Sequence, residues 1–377
     1  SIHEQIAPLA RIINCSQESY CAPCAQMRIV RVALPAIAAA TTLILASRRG
    51  RLLLLRAHAV MASSSRHSGG MSGRMFRYKD PAWPAPLQAF ESPATHTHSN
   101  FCVYVGGLTD GLLACAYVEK LGEALDQRGW ALVQPVLTSS YAGYGCSSLA
   151  RDAAEIAVLM ETIARDMPAA QFAIIGHSTG CQDSVALAAS APESVRLRLR
   201  AAVLQAPVSD REAQLAGGDE DPALMREAQA LVSAGRGDTL LSQKHYGFVP
   251  MSASRYCDLF AKHGADDLFS SDLSAAELQD ALGHMSTAGQ RAGTRRVPPL
   301  TAHPGLRTLF VFSGADEYVP PTVDVPALAA RMVSAAGGAA GGASAAIIDG
   351  ANHNLRAGDA AAGEFIALAC KVLEEAV

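Results

Sequence analysis

The sequence predicts an α/β fold: a mostly parallel central sheet flanked by helices, with a helical cap inserted late in the chain. Three observations carry this. From about Phe90 onward, short apolar runs alternate with helix-length stretches, the order expected of repeated β-α units. The runs are continuously apolar, as strands buried on both faces are. One interval, Ser209 to Pro299, breaks the rhythm with about ninety helical and polar residues. A structureless loop of that length does not suit a compact domain, so the interval reads as a cap over a pocket.

Residues 1–79 come first and differ from the rest. They hold 11 Lys and Arg against 2 acids, leaving 20 against 33 for the remainder. An apolar run from Val32 to Ala46 is flanked by arginines, interrupted by Pro35, and shorter than the roughly 18 to 20 residues of a membrane span. The expectation is a leader without ordered structure and no stable membrane span. An Arg- and Ser-rich, acid-poor leader points to a plastid or mitochondrion. A signal anchor and an over-extended reading frame are the alternatives, since Met27, Met61, Met71 and Met75 could each begin a shorter chain. A start at Met61 or later would leave the protein cytoplasmic.

The core domain then covers 80–377, with the cap at about 210–299. The expected strands are Phe101 to Val105, Ala131 to Val136, Phe172 to Ile175, Ala201 to Leu204, Leu306 to Phe312 and Ala345 to Ile348. Helices are expected over Leu112 to Gln127, Leu149 to Asp166, Cys181 to Ala189, Val325 to Ala335 and Ala361 to Glu375. Gly337 to Ser344 reads as a flexible loop before the last strand.

Composition excludes several classes. Half of the 377 residues are hydrophobic, enough for a large core and too many for a disordered chain. The acidic body offers no basic footprint, and two tryptophans make a poor base-stacking surface, so nucleic acid is not an expected partner. Nine cysteines, an odd number in a long chain, do not form a disulfide framework. The pair Cys21 and Cys24 lacks the preceding strand of a redox motif and the second pair of a zinc site.

The chemistry centres on Gly176-His177-Ser178-Thr179-Gly180, which follows an apolar strand and precedes a helix. A serine on so tight a strand-to-helix turn needs small residues two positions either side. Ser178 is therefore the expected nucleophile. A hydroxyl attacks only when a base takes its proton, and His353, in a Gly-containing loop after the last strand, is placed for that. The imidazole in turn needs a carboxylate to fix its tautomer. Asp316 follows the strand ending at Phe312 and is the first choice; Asp210, one strand earlier, is the alternative acid. Glu317 is expected to face solvent. An oxyanion hole is expected from the backbone amides of Thr179 and Leu108, with Gly107 letting the chain come close. The glycines at 106, 107 and 111 lack the spacing of a phosphate-cradling loop. Asp266, Asp267, Ser270, Ser271 and Asp272 could suggest a cation site, but read as helix capping and a solvated turn. Tyr141, Tyr144 and Tyr256 are candidates for pocket walls or for packing.

Five segments in order carry a resemblance. They are Gly-Gly-Leu-Thr-Asp-Gly at 106–111, Ser-Ser-Tyr-Ala-Gly-Tyr-Gly at 139–145, the Ser178 pentapeptide, Gln205 to Glu212, and Gly-Ala-Asp-Glu-Tyr-Val-Pro at 314–320. Over about residues 85–377 the chain resembles the fusarinine (siderophore) esterase-like branch of the α/β-hydrolases, found in fungi and plants. The resemblance implies a serine hydrolase acting on a small-molecule ester or related acyl bond, with Ser178, Asp316 and His353 matching nucleophile, acid and base. No cofactor or metal is expected, because side chains and backbone supply all the chemistry. Acyl transfer on the same residues, or ligand binding without catalysis, are the alternative readings.

Overall fold

The computed structural model describes residues 70–78, 86–93, 98–242, 249–287, 306–356 and 358–377. The leader through residue 69, the Cys21/Cys24 pair, the Val32 to Ala46 run, Met27 and Met61 lie outside the described residues, as does the cap's 288–299 stretch.

Eight strands form one sheet in the order β1-β2-β4-β3-β5-β6-β7-β8. The strands are β1 (Arg74–Tyr78), β2 (Leu87–Ser92), β3 (Asn100–Val105), β4 (Trp130–Val136), β5 (Gln171–His177), β6 (Leu199–Gln205), β7 (Arg307–Ser313) and β8 (Ala343–Ile348). Strands β3 to β8 pair in parallel, and β1 and β2 add to β4 antiparallel. All six expected strands are present. The antiparallel pair was not foreseen, and it moves residues 74–78 out of the leader and into the sheet. Strand β1 is a half-exposed edge whose two arginines read as leader charge; Arg74 pairs with the buried Glu91 of β2 at 2.7 Å.

Side chains alternate across the sheet. In β3, Phe101, Val103 and Val105 enter one core layer, and Cys102 and Tyr104 the other. The first layer is closed by α2 (Leu149–Asp166), α3 (Gly180–Ser190) and α9 (Val325–Ala335), and the second by α1 (Val118–Asp126) and α10 (Asp359–Glu374). A single turn, α4 (Glu193–Arg196), leads into β6. Helix α1 starts six residues later than its sequence suggests. Leu113 takes a left-handed φ of 58° and its amide donates to Gln134 Oε1 at 2.8 Å, which holds 112–117 as turns. The glycine-rich 337–342 stretch is a bonded turn; Ala343 N donates back to Gly338 O at 3.0 Å, so β8 begins two residues early.

The insertion folds as helices: α5 (Asp210–Gly217), α6 (Pro222–Ser233), α7 (Ala253–Phe260) and α8 (Ala275–Leu282). Helices α6 and α7 share a separate apolar cluster of Leu224, Ala228, Met251, Tyr256 and Leu259, against which Tyr144 and Leu108 pack. Tyr144 and Tyr256 are thus packing residues, and Tyr141 is exposed. Buried Arg255 anchors α7, donating to Tyr144 O at 3.0 Å and Asp266 at 2.6 Å.

Candidate active site

Strand β5 delivers Ser178 to the carboxyl edge of the sheet, and α3 begins two residues later. Ser178 has a φ of 54°, which an L-residue adopts only at a cost of order 1–3 kcal/mol and which turns its side chain off the strand axis. Its amide donates to Gln205 O at 3.0 Å, and its carbonyl accepts from Cys181 N at 2.8 Å, closing the turn. A Cβ at Gly176 would collide with Gly180 O, and one at Gly180 with Val105 O. The small neighbours are therefore a packing requirement of the turn.

His353 lies in the loop after β8, and Asp316 in the loop after β7. The imidazole Nδ1 donates to Asp316 Oδ2 at 2.8 Å and lies 3.0 Å from Oδ1. Both residues are buried. Asp316 is itself fixed, since Oδ1 accepts from Tyr318 N at 3.0 Å, and the Tyr318 ring stands edge-on to His353 at 4.7 Å. Glu317 accepts from His353 N at 2.9 Å, so it braces the histidine's backbone, although its exposure agrees with the sequence reading.

Ser178 and His353 line one cavity of about 380 Å³ together with His177, Leu108, Asp210 and Glu317. Asp210, the alternative acid, reaches this cavity from the first turn of α5 but makes no bond to His353; its carboxylate accepts from Gln182 Nε2 at 3.2 Å. Burial pushes its carboxyl up to about 7, helped by Asp266 and opposed by Arg255 and His353.

Opposite Ser178 runs the 106–111 loop. Gly107 N donates to Asp110 Oδ2 at 2.8 Å, and Asp110 N returns to Gly107 O at 3.1 Å, with Thr109 at a φ of 68°. Gly107 thus spends its amide on Asp110 and serves by its lack of a side chain. The amides of Leu108 and Thr179 donate to no backbone oxygen among the described residues.

Three contributors to the site were not foreseen. Gln205, at the end of β6 and fully buried, accepts from His177 Nδ1 at 2.5 Å and Tyr117 OH at 3.2 Å, and donates to His353 O at 3.0 Å. Buried His177, its ring 5.0 Å from that of His353, is pushed down to about 3 first by burial and then by the neighbouring histidine, so it is neutral. Asp110 braces the loop. A polar residue ending an otherwise apolar strand was the available signal for Gln205; His177 is fixed by a contact 28 positions away, whereas Asp110 is fixed within its own glycine-rich loop.

The 266–272 cluster is not a solvated turn. Asp266 pairs with Arg255, Asp267 and Asp272 with Arg211, and Ser271 with Glu212, and Asp266, Asp267 and Ser270 are buried. Among the described residues no group of His, Cys, Asp and Glu is arranged to hold a metal ion, and no helix is long and apolar enough to cross a membrane.

The family described as "Protein of unknown function (DUF1749)" matches residues 64–374. A UPF0613 protein of Schizosaccharomyces pombe is 34% identical over 265 residues, covering 67% of this chain and 80% of the relative. Fusarinine C esterase sidJ of Aspergillus fumigatus is 31% identical over 315 residues, covering 71% and 84%. Among solved structures, the siderophore hydrolase EstB from Aspergillus fumigatus superposes with a TM-score of 0.64 at 28% identity, covering 82% of this chain and 99% of that one. A carboxyl esterase from Bacillus coagulans, at a TM-score of 0.51 and 12% identity over 81% and 99%, shares the fold. The chain belongs to the DUF1749 family and is an enzyme of the α/β-hydrolase type, with named esterases among its relatives.

Proposed function

We propose that this chain hydrolyses a carboxylic ester of a small molecule through an acyl-enzyme on Ser178. The observation that carries the reading is the His353–Asp316 contact at 2.8 Å, with that imidazole facing the same cavity as a serine on a left-handed strand-to-helix turn. In the proposed reaction Ser178 Oγ attacks the ester carbonyl and His353 Nε2 takes its proton. Asp316 holds Nδ1–H and balances the imidazolium charge. The free amides of Leu108 and Thr179 stabilise the oxyanion, for which each donor contributes about 10²–10³ in turnover. His353 then protonates the departing alcohol, and a water activated by the same histidine releases the acid.

Covalent labelling of the full chain with a fluorophosphonate tests this without the natural substrate. Labelling that disappears in Ser178→Ala and falls sharply in His353→Ala is expected. Undiminished labelling of Ser178→Ala would place the reactive group elsewhere.

A further inference from the structure

Asp210 is left over by this chemistry. Asp316 takes the histidine, yet Asp210 sits half-buried in the same cavity wall as Ser178 and His353. The other two carboxylates of the wall are each held by a backbone amide, Asp110 by Gly107 and Glu317 by His353. Asp210 accepts from the uncharged Gln182 amide and from its own backbone amide, and among the described residues no Arg, Lys or His forms an ion pair with it. The nearby guanidiniums are committed elsewhere: Arg255 to Asp266 and Tyr144 O, Arg211 to Asp267 and Asp272. The single arginine of the wall, Arg356, is exposed and turned to Ala114 O at 3.4 Å.

A helix-capping duty does not account for Asp210, because Ser209 already caps α5 by accepting from Glu212 N at 3.1 Å. A half-buried carboxylate without an ion-pair partner either takes up a proton or is held ionised by a positive group that visits the cavity. Among the described residues the cavity wall holds three carboxylates and one guanidinium, a balance that attracts cations and repels anions.

Resting on the Ser178 reading above, we propose that Asp210 is a specificity-determining residue that selects esters carrying a positively charged group, such as an ammonium, over neutral and anionic esters of the same shape. In the proposed pose the ester carbonyl lies at Ser178 and the charged group faces Asp210 in the same cavity.

Two matched pairs test this on the full chain. S-Butyrylthiocholine against 3,3-dimethylbutyl thiobutyrate places the charge on the leaving group; 4-nitrophenyl 4-(trimethylammonio)butyrate against 4-nitrophenyl 5,5-dimethylhexanoate places it on the acyl group. The wild type is expected to favour the cation in at least one pair. Asp210→Asn should cut that preference about tenfold, the size of one partly screened ion contact, and Asp210→Glu should restore part of it. The readout is the ratio of charged to neutral rates, which a merely structural role would not move because it would lower both together. Competition of choline and 3,3-dimethylbutanol against fluorophosphonate labelling gives the same comparison if turnover of these esters is slow. Equal treatment of charged and neutral partners in the wild type, or a preference that survives intact in a folded Asp210→Asn, overturns the proposal. Absence of labelling in the wild type instead removes the Ser178 reading on which it stands.

Discussion

Gly107→Ala probes the narrowest point of the site. A Cβ there would lie 2.6 Å from Ser178 Cβ and 3.1 Å from Ser178 Oγ. Carbon atoms rest at about 3.5–4.0 Å, so the 106–108 strand end and the serine turn must part by about 1 Å. The two segments already pack closely along this seam, where a Cβ at Gly180 would meet Val105 O and Gly106 O. Misplacing reacting groups by about 1 Å costs on the order of 10²-fold. Gly107→Ala is therefore expected to label with fluorophosphonate at least about a hundredfold more slowly than the wild type, with a thermal midpoint lowered by only a few degrees. Gly363→Ala is the control: it adds a methyl to the exposed face of α10 with nothing within 4 Å, and alanine is the better helix former. It should label normally and melt no lower. Wild-type labelling by a folded Gly107→Ala would mean that the 106–108 loop does not form the wall facing the serine.

Other perturbations separate the roles of the remaining groups. Asp316→Asn should lower kcat on the order of 10⁴-fold, as loss of the tautomer-fixing acid does; Asp210→Asn should leave hydrolysis of a neutral ester nearly intact, and a reversed ranking would exchange the two assignments. Arg255→Met leaves Asp266 buried without its partner and should cost about 3–5 kcal/mol in denaturant unfolding, a midpoint unchanged from wild type arguing against the buried pair. His177 has an ordinary pKa of 6.5 when unfolded and about 3 when folded. Below pH 6.5 the unfolded chain takes up a proton that the folded chain refuses, so this group's effect is absent above 6.5 and destabilises progressively as pH falls toward 3. His177→Asn should flatten the stability slope between pH 6.5 and 5, read from denaturation midpoints, and an identical slope would show that other groups set it.

The sequence revealed those parts of the molecule that short-range physics dictates. Strands buried on both faces must be apolar throughout, so β3 to β7 were legible, as was the apolar run of the part-exposed edge strand β8, and the Ser178 turn announced itself because its glycines are sterically compulsory. The early strands were not legible: β1 is a short edge bearing Arg74 and Arg77, which count as leader charge until Glu91 is seen opposite. The late start of α1 depends on Gln134, a contact across 21 positions. At the site, the order of Ser178, Asp316 and His353 could be read, but the 2.8 Å contact that favours Asp316 over Asp210 as the proposed acid is not visible in the sequence. The acid cluster of the cap was misread because Arg211 and Arg255, which bury it, lie 56 and 11 positions from their aspartates.

Gln205 carries a consequence for how this family can vary. Its Nε2 donates to His353 O, which fixes the amide's orientation and leaves Oε1 as an acceptor alone. His177 must then carry its proton on Nδ1, and Tyr117 must point its hydroxyl inward. Two donors, one on β5 and one just before α1, share the single Oε1 of Gln205, and none of the three residues can change to a partner of opposite polarity without stranding the others. Lineages that replace Gln205 should replace His177 and Tyr117 with it, so that the trio is inherited as a block while the wall of the pocket drifts around it.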